Sequence, residues 1–179
     1  MPVYAPKVQD SDASPGTGSV VNKVLSPNVE TASTFMISIG AGGAAQNIHF
    51  VTDAWLINSD AWESGGTMSC KLRVTAVTGA MRARCMIRRI SRTGALLQSG
   101  TFTTFQTLTG LPGTFTFTPT VPTWTAGEEN CGNRLAIRFS IDNTSAGAST
   151  ATIEVGTANS EITSTITENN GNCRRIFIA

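Results

Sequence analysis

Residues 67–89 read TMSCKLRVTAVTGAMRARCMIRR, with apolar and polar side chains alternating through almost all of them. Successive side chains on a strand point to opposite faces, so a period of two marks half-buried β-structure and rules out an amphipathic helix here. Met68, Cys70, Leu72, Val74 and Ala76 share one face, and Lys71, Arg73 and Thr75 the other. Beyond Thr78-Gly79, Met81, Ala83, Cys85 and Ile87 form a second apolar row, with Arg82, Arg84 and Arg88 opposite.

The same pattern recurs along the chain. TFMISI (34–39), IHFVTDAWLI (48–57), TFTTFQTL (101–108), TFTFT (114–118), RLAIRFSI (134–141), TATIEV (150–155), SEITSTI (160–166) and CRRIFIA (173–179) all read as strands. Gly, Pro and Asn punctuate the connections, and no segment keeps a helical period over ten residues. Short strands at this spacing predict an all-β fold, an antiparallel β-sandwich of the jelly-roll type. With 179 residues and 40% hydrophobic content, one domain with a sizeable core is expected over 34–179. Residues 1–33 carry Pro2, Pro6, Pro15 and Pro27 with little periodicity, and are expected to form an extended N-terminal arm, ordered only where its own domain or a neighbour holds it.

A tight turn at Thr78-Gly79 pairs positions whose numbers sum to about 157, so Leu72 lies opposite Cys85 and Arg73 opposite Arg84. Apolar rows then share one face and basic rows the other. Cys70 and Cys85 fall on that apolar face as small buried hydrophobes. Like charges directly opposite one another destabilise a sheet, so the basic face requires a compensating anion, spread side chains or a partner. The imbalance is regional. No acidic residue occurs between Ser64 and Gly127, a span that holds Lys71, Arg73, Arg82, Arg84, Arg88, Arg89 and Arg92, although the whole chain carries only +1. Arginine rather than lysine favours fixed, two-pronged pairing with carboxylates or phosphates over loose screening. Carboxylates of the same or a neighbouring subunit are the expected partners. A solvated face and a nucleic-acid face are the rivals. The nucleic-acid reading is weaker because a single-strand binder interleaves aromatics with its charges, and the hairpin has none.

Other chemistry finds little to build on. No run approaches the roughly 18 apolar residues of a membrane helix, and the N-terminus lacks the apolar region of a secretory signal. A chain made in the cytosol, with Cys70, Cys85, Cys131 and Cys173 reduced, is expected. The cysteines are not spaced for zinc and His49 is the single histidine, so no metal or cofactor is predicted. Gly40, Gly42 and Ala45 fit a G-x-G-x-x-A pattern, but the residues that follow read as strand, not helix, so this is a loop. Asp53, Asp60, Glu63, Glu128, Glu129 and Asp142 match no calcium loop. With no G-x-S-x-G and no clear carboxylate pair, the chain is not expected to be an enzyme. Asn143-Thr144-Ser145 fits a glycosylation acceptor that goes unused without a signal. Charged residues are 14%, against roughly 25% in ordinary soluble domains, which suits a surface covered by neighbours and equally a Thr-rich β-protein. Trp55 reads as core. Trp62 and Trp124, in loop-like stretches, are the candidate glycan contacts.

The segment CGNRLAIRFSIDNTSAGASTATIEVGTANSEITSTI (131–166) resembles the closing hairpins of jelly-roll proteins in tailed-phage virions, among them capsid decoration (cement) proteins and fibre or knob domains. RRISRTGALLQSGTFTT (88–104) is similar to their long strand–turn–strand segments. The resemblance covers about half of the chain. It implies a virion structural protein, made in the host cytoplasm, that contacts the major capsid protein and its own copies, commonly as a homotrimer. The arm would then wrap a neighbour, and Lys71, Arg73, Arg82, Arg84 and Arg88 would face the partner. A tail or fibre component and a carbohydrate-binding β-sandwich module are the alternatives. No catalytic residue follows from the resemblance.

Overall fold

The computed structural model describes residues 3–10, 20–26, 31–52, 68–91, 93–122 and 134–164. They form two packed sheets whose strands are, in chain order, β1 (Val3–Asp10), β2 (Val20–Ser26), β3 (Ser33–Ile39), β4 (Ala45–Thr52), β5 (Met68–Val77), β6 (Met81–Ile90), β7 (Leu96–Ser99), β8 (Gln106–Thr107), β9 (Gly113–Phe117), β10 (Arg134–Asn143), β11 (Ser149–Val155) and β12 (Ile162–Ser164). One sheet runs β3–β11–β5–β9, and the other β4–β10–β6, with β7 and β8 on the far edge of β6. These pairs are antiparallel, and the chain steps between sheets from β3 to β4, β5 to β6 and β10 to β11. This is the antiparallel β-sandwich with jelly-roll connectivity that the alternating pattern predicts.

The long strands β3–β6 and β9–β11 turn their apolar rows into the space between the sheets. Ile37, Ile39, Met68, Cys70, Leu72, Val74, Phe117, Ala151 and Ile153 come from the first sheet, and Ile48, Phe50, Met81, Ala83, Cys85, Ile87, Phe139 and Ile141 from the second. The hairpin expected at Thr78-Gly79 is therefore corrected. β5 pairs with β9, β11 and β12, β6 pairs with β7, β8 and β10, and the two face each other across the core. Residues 78–80 form an arch. A hairpin would have set Arg73 against Arg84. The arch keeps both apolar rows buried and sends the two basic rows to opposite outer surfaces.

The arch is held by β11 and the turn before it. Thr78 N donates to Thr150 O at 2.9 Å, and Thr150 N donates to Thr78 Oγ1 at 2.8 Å. Gly79 adopts φ +77°, and a Cβ there would run into the side chains of Ser145 and Ser149. Asn143, fully buried, ties the same corner. Its Nδ2 donates to Gly40 O and Gly147 O, both at 2.7 Å, and its Oδ1 accepts from Ser145 N at 2.8 Å and Ser149 Oγ at 3.2 Å. Asn143→Ala is expected to cost about 2 kcal/mol in urea unfolding, below the sum of the bonds lost, because Gly40 and Gly147 are exposed enough for water to reach their carbonyls. An unchanged midpoint would show that the corner does not depend on this amide.

Within the expected arm, Val3–Asp10 and Val20–Ser26 are strands of the fold, and residues 11–19 and 27–30 lie outside the described residues. β1 pairs with β12 and with β2, and β2 runs parallel to β4, so the pair joins the two sheets along one side. These strands are held by their own domain, one of the two arrangements expected for the segment. Segment 101–108 also departs from expectation. Only Gln106–Thr107 is strand; Gly100 N donates to Ile87 O and Thr103 N to Cys85 O, both at 2.8 Å, along the edge of β6, with irregular backbone between. The strands expected at 53–57 and 173–179 lie outside the described residues.

Candidate binding face: arginines stacked on phenylalanines

Register in the second sheet sets its outer surface. β6 against β10 aligns Arg82 with Asp142, Arg84 with Ser140, Met86 with Arg138 and Arg88 with Ala136, and β4 adds His49 beside Arg138 and Asn47 beside Ser140. The inward neighbours of these residues fill the core, so Arg82, Arg84, Arg88, Arg134 and Arg138 belong to one outer face. Among the described residues Asp142 is the carboxylate on it; its Oδ2 lies 3.4 Å from Arg82 Nη2.

The irregular segment 101–105 brings two aromatic rings onto this face. Arg82 lies over Phe105 at 3.9 Å from Cζ to ring centroid. Arg84 lies over Phe102 at 4.1 Å and over Phe105 at 4.4 Å, and Arg138 over Phe102 at 5.1 Å. Arg82 and Arg84 are two residues apart on a strand, about 7 Å. The Phe105 ring centroid lies within 4.4 Å of both guanidinium carbons and so contacts both. The result is a ladder in the order Arg82, Phe105, Arg84, Phe102, Arg138. Each step draws on the attraction of a cation for a ring face, worth about 0.5–2 kcal/mol depending on desolvation. The rings also hold like charges apart. Arg138 is fixed further by Nε and Nη2, which donate to Asn47 Oδ1 at 3.0 and 2.8 Å.

The crowding of positive charge is visible in the titrating groups. Burial, then the charges of Arg88 and Arg138, push the His49 imidazole down to about 3, so it stays neutral. Burial lowers Arg88, and burial followed by the charges of Arg88 and Arg84 lowers Arg138.

The candidate residues are thus divided. Arg82, Arg84 and Arg88 lie on the outer face of the second sheet. Lys71 and Arg73 lie on the outer face of the first, where they have local partners. Lys71 Nζ is 3.6 Å from Glu161 Oε1, and Arg73 Nη1 donates to Pro112 O and Thr114 Oγ1 at 3.4 and 3.3 Å. The single basic face built from both rows is corrected accordingly. Trp62, Trp124 and the carboxylates Asp53, Asp60, Glu63, Glu128 and Glu129 lie outside the described residues. The Gly40–Ala45 loop is a corner between sheets, and the Gly42 and Gly43 amides donate to Ser145 O and Asn143 O at 2.9 Å, which leaves neither for a phosphate. Among the described residues no group of three His, Cys, Asp or Glu side chains could hold a metal ion, and no helix is long and apolar enough to cross a membrane.

No protein-family model and no curated protein matches the chain. Among solved structures it is similar to one from work on the promiscuous specificity of carbohydrate-binding modules of the β-sandwich superfamily, at 10% identity and a TM-score of 0.40. The alignment covers 69% of this chain and 53% of the other, so the chain spans about half the length of that structure.

Proposed function

We propose that this chain is a non-enzymatic virion structural protein, a capsid decoration protein that docks on an acidic protein surface through the arginine–phenylalanine ladder. The ladder is the observation that carries the reading. A guanidinium stacked on a ring is pre-positioned, so less side-chain entropy is lost when its N–H fork meets a carboxylate. Several such forks in a row suit a repeated acidic surface, where modest contacts add by avidity. The jelly-roll fold and the sequence resemblance to phage virion proteins support the virion setting, and contact with its own copies as a trimer belongs to the same proposal.

The ladder also favours carboxylates over the bases of single-stranded nucleic acid. Base stacking needs a free aromatic face. Phe105 is already engaged by Arg82 and Arg84, and Phe102 by Arg84 and Arg138.

The test uses immobilised poly-glutamate, oligodeoxythymidine and a neutral glycan array as probes, with light scattering for mass. Binding to poly-glutamate that weakens with salt is expected. Arg82→Ala with Arg84→Ala is expected to weaken it at least about tenfold, while Lys71→Ala with Arg73→Ala, on the opposite surface, leaves it unchanged. A mass three times that of the 18.8 kDa chain is expected. Tighter binding to oligodeoxythymidine or glycan, or equal loss from the two double variants, would overturn the reading.

A further inference from the structure

Cys70 and Cys85 come from different sheets, yet they meet. In the first sheet Cys70 pairs in register with Phe117 of β9, and in the second Cys85 pairs with Phe139 of β10. The rings of Phe117 and Phe139 are in edge-to-face contact across the core, with centroids 5.7 Å apart. Register thus sets the two cysteines beside that ring contact, one in each sheet and both in the same core cluster, with Cys70 near enough to help push the Cys85 thiol up. Both side chains are fully buried and both are free thiols.

We propose that Cys70 and Cys85 are a latent disulfide site that links the two sheets of the sandwich through its central strands, β5 and β6, when the chain folds in the presence of a small-molecule disulfide oxidant. In the first step one cysteine thiolate attacks a sulfur of oxidised glutathione, giving a mixed disulfide and releasing one glutathione thiolate. In the second step the other cysteine thiolate attacks the protein sulfur of that mixed disulfide. The Cys70–Cys85 bond forms and the second glutathione leaves. Two protein thiols lose two protons and two electrons, and the oxidant gains them as two glutathione thiols.

Location dictates when this happens. Burial pushes the Cys85 thiol well above its usual range, so little thiolate exists in the folded protein, and no oxidant reaches either sulfur. The folded, reduced domain is inert, and the bond forms only while the core is open. Once formed, it closes a short loop around the 78–80 arch and restricts the unfolded chain.

The experiment uses the full chain carrying Cys131→Ser and Cys173→Ser, so that only the pair can react. The chain is refolded across a series of reduced-to-oxidised glutathione ratios, then alkylated in denaturant and weighed. The expected result is joint loss of both labels as the ratio becomes oxidising, in a monomer lighter by two hydrogens. The melting temperature should be higher by roughly 5–10 °C, an increase that a reductant abolishes. Adding the oxidant to the already folded, reduced protein should leave both thiols intact. Retention of both labels at the most oxidising ratio in a folded chain, disulfide-linked dimers in place of the intramolecular bond, or an oxidised form that melts lower would each overturn the proposal. Cys70→Ala and Cys85→Ala give a second check, since either must remove the oxidant-dependent rise in melting temperature; if the rise persists in the one that folds, the proposal fails.

Discussion

Phe139→Ala is expected to destabilise the domain by about 4 kcal/mol, near the upper end for a buried aromatic, measured as a shift in the urea unfolding midpoint at unchanged slope. Phe139 is fully buried on β10, and its ring meets two others edge-to-face, Phe50 on β4 at 6.0 Å and Phe117 on β9 at 5.7 Å between centroids. The first contact lies within one sheet and the second crosses to the other. Truncation therefore removes the transfer free energy of the ring, two aromatic contacts worth about 0.5–1.5 kcal/mol each, and leaves a cavity bounded by both sheets. Those sheets are fixed by their own ladders, so the cavity cannot collapse freely. Phe139→Leu, which fills most of the space, is expected to cost about 1.5 kcal/mol. Phe115→Ala is the control: Phe115 only partly packs against the core and should cost less than half as much as Phe139→Ala. If Phe115→Ala were as damaging as Phe139→Ala, the edge-to-face cluster would not be the joint between the sheets. A loss near the usual net stability of a domain, about 5–15 kcal/mol, also predicts poor accumulation of the alanine variant in cells.

Phe139 was legible from the alternation in RLAIRFSI, as were most inward rows. What alternation could not distinguish was a hairpin from an arch. Leu72 and Cys85 face inward either way, from one sheet in a hairpin and from two sheets in an arch, and the apolar pattern is identical. The deciding signal lay in the polar rows. Pairing Arg73 with Arg84 sets like charges side by side, and the arch removes that repulsion.

The binding face was half legible. The arginine row of β6 stood out, and Arg134 and Arg138 have the opposite parity to Leu135, Ile137 and Phe139, so they had to point outward from β10. That β10 lies beside β6 is a matter of long-range order that no local pattern carries. Phe102 and Phe105 were hidden for another reason. They are three residues apart, so a regular strand would turn them to opposite faces. The irregular backbone of 101–105 turns both toward the arginines. The objection that the basic row has no aromatics holds for its own strand and not for its neighbours in space. His49 gave no sign, because IHFVT reads as continuous apolar strand and the crowding around it comes from β6 and β10.

Acidification from pH 7 to pH 4 is expected to remove about 3 kcal/mol of stability through His49 alone. In the unfolded chain this imidazole titrates at the ordinary 6.5, whereas in the folded protein it is held down to about 3. Between those two values the unfolded state binds a proton that the folded state refuses. Stability therefore rises with pH across that window, and the contribution is complete above pH 6.5 and lost as pH falls toward 3. His49 is 1% exposed, so solvent does little to screen the effect. Urea midpoints measured across the window for the wild type and for His49→Gln isolate it, since the carboxylates titrate in both and cancel in the difference. The gap between the two curves should change by about 3 kcal/mol from pH 7 to pH 4, with His49→Gln the flatter of the pair. Arg138→Gln then apportions the cause. Burial is the largest contribution and the charges of Arg88 and Arg138 follow. Removing one guanidinium should recover less than half of the acid sensitivity and leave the rest to desolvation. Recovery of nearly all of it would mean that the arginines of the ladder, and not the depth of the site, keep this histidine neutral. Parallel curves for wild type and His49→Gln would mean that the imidazole is protonated in the folded state after all, and the tight packing of this face would have to be reconsidered.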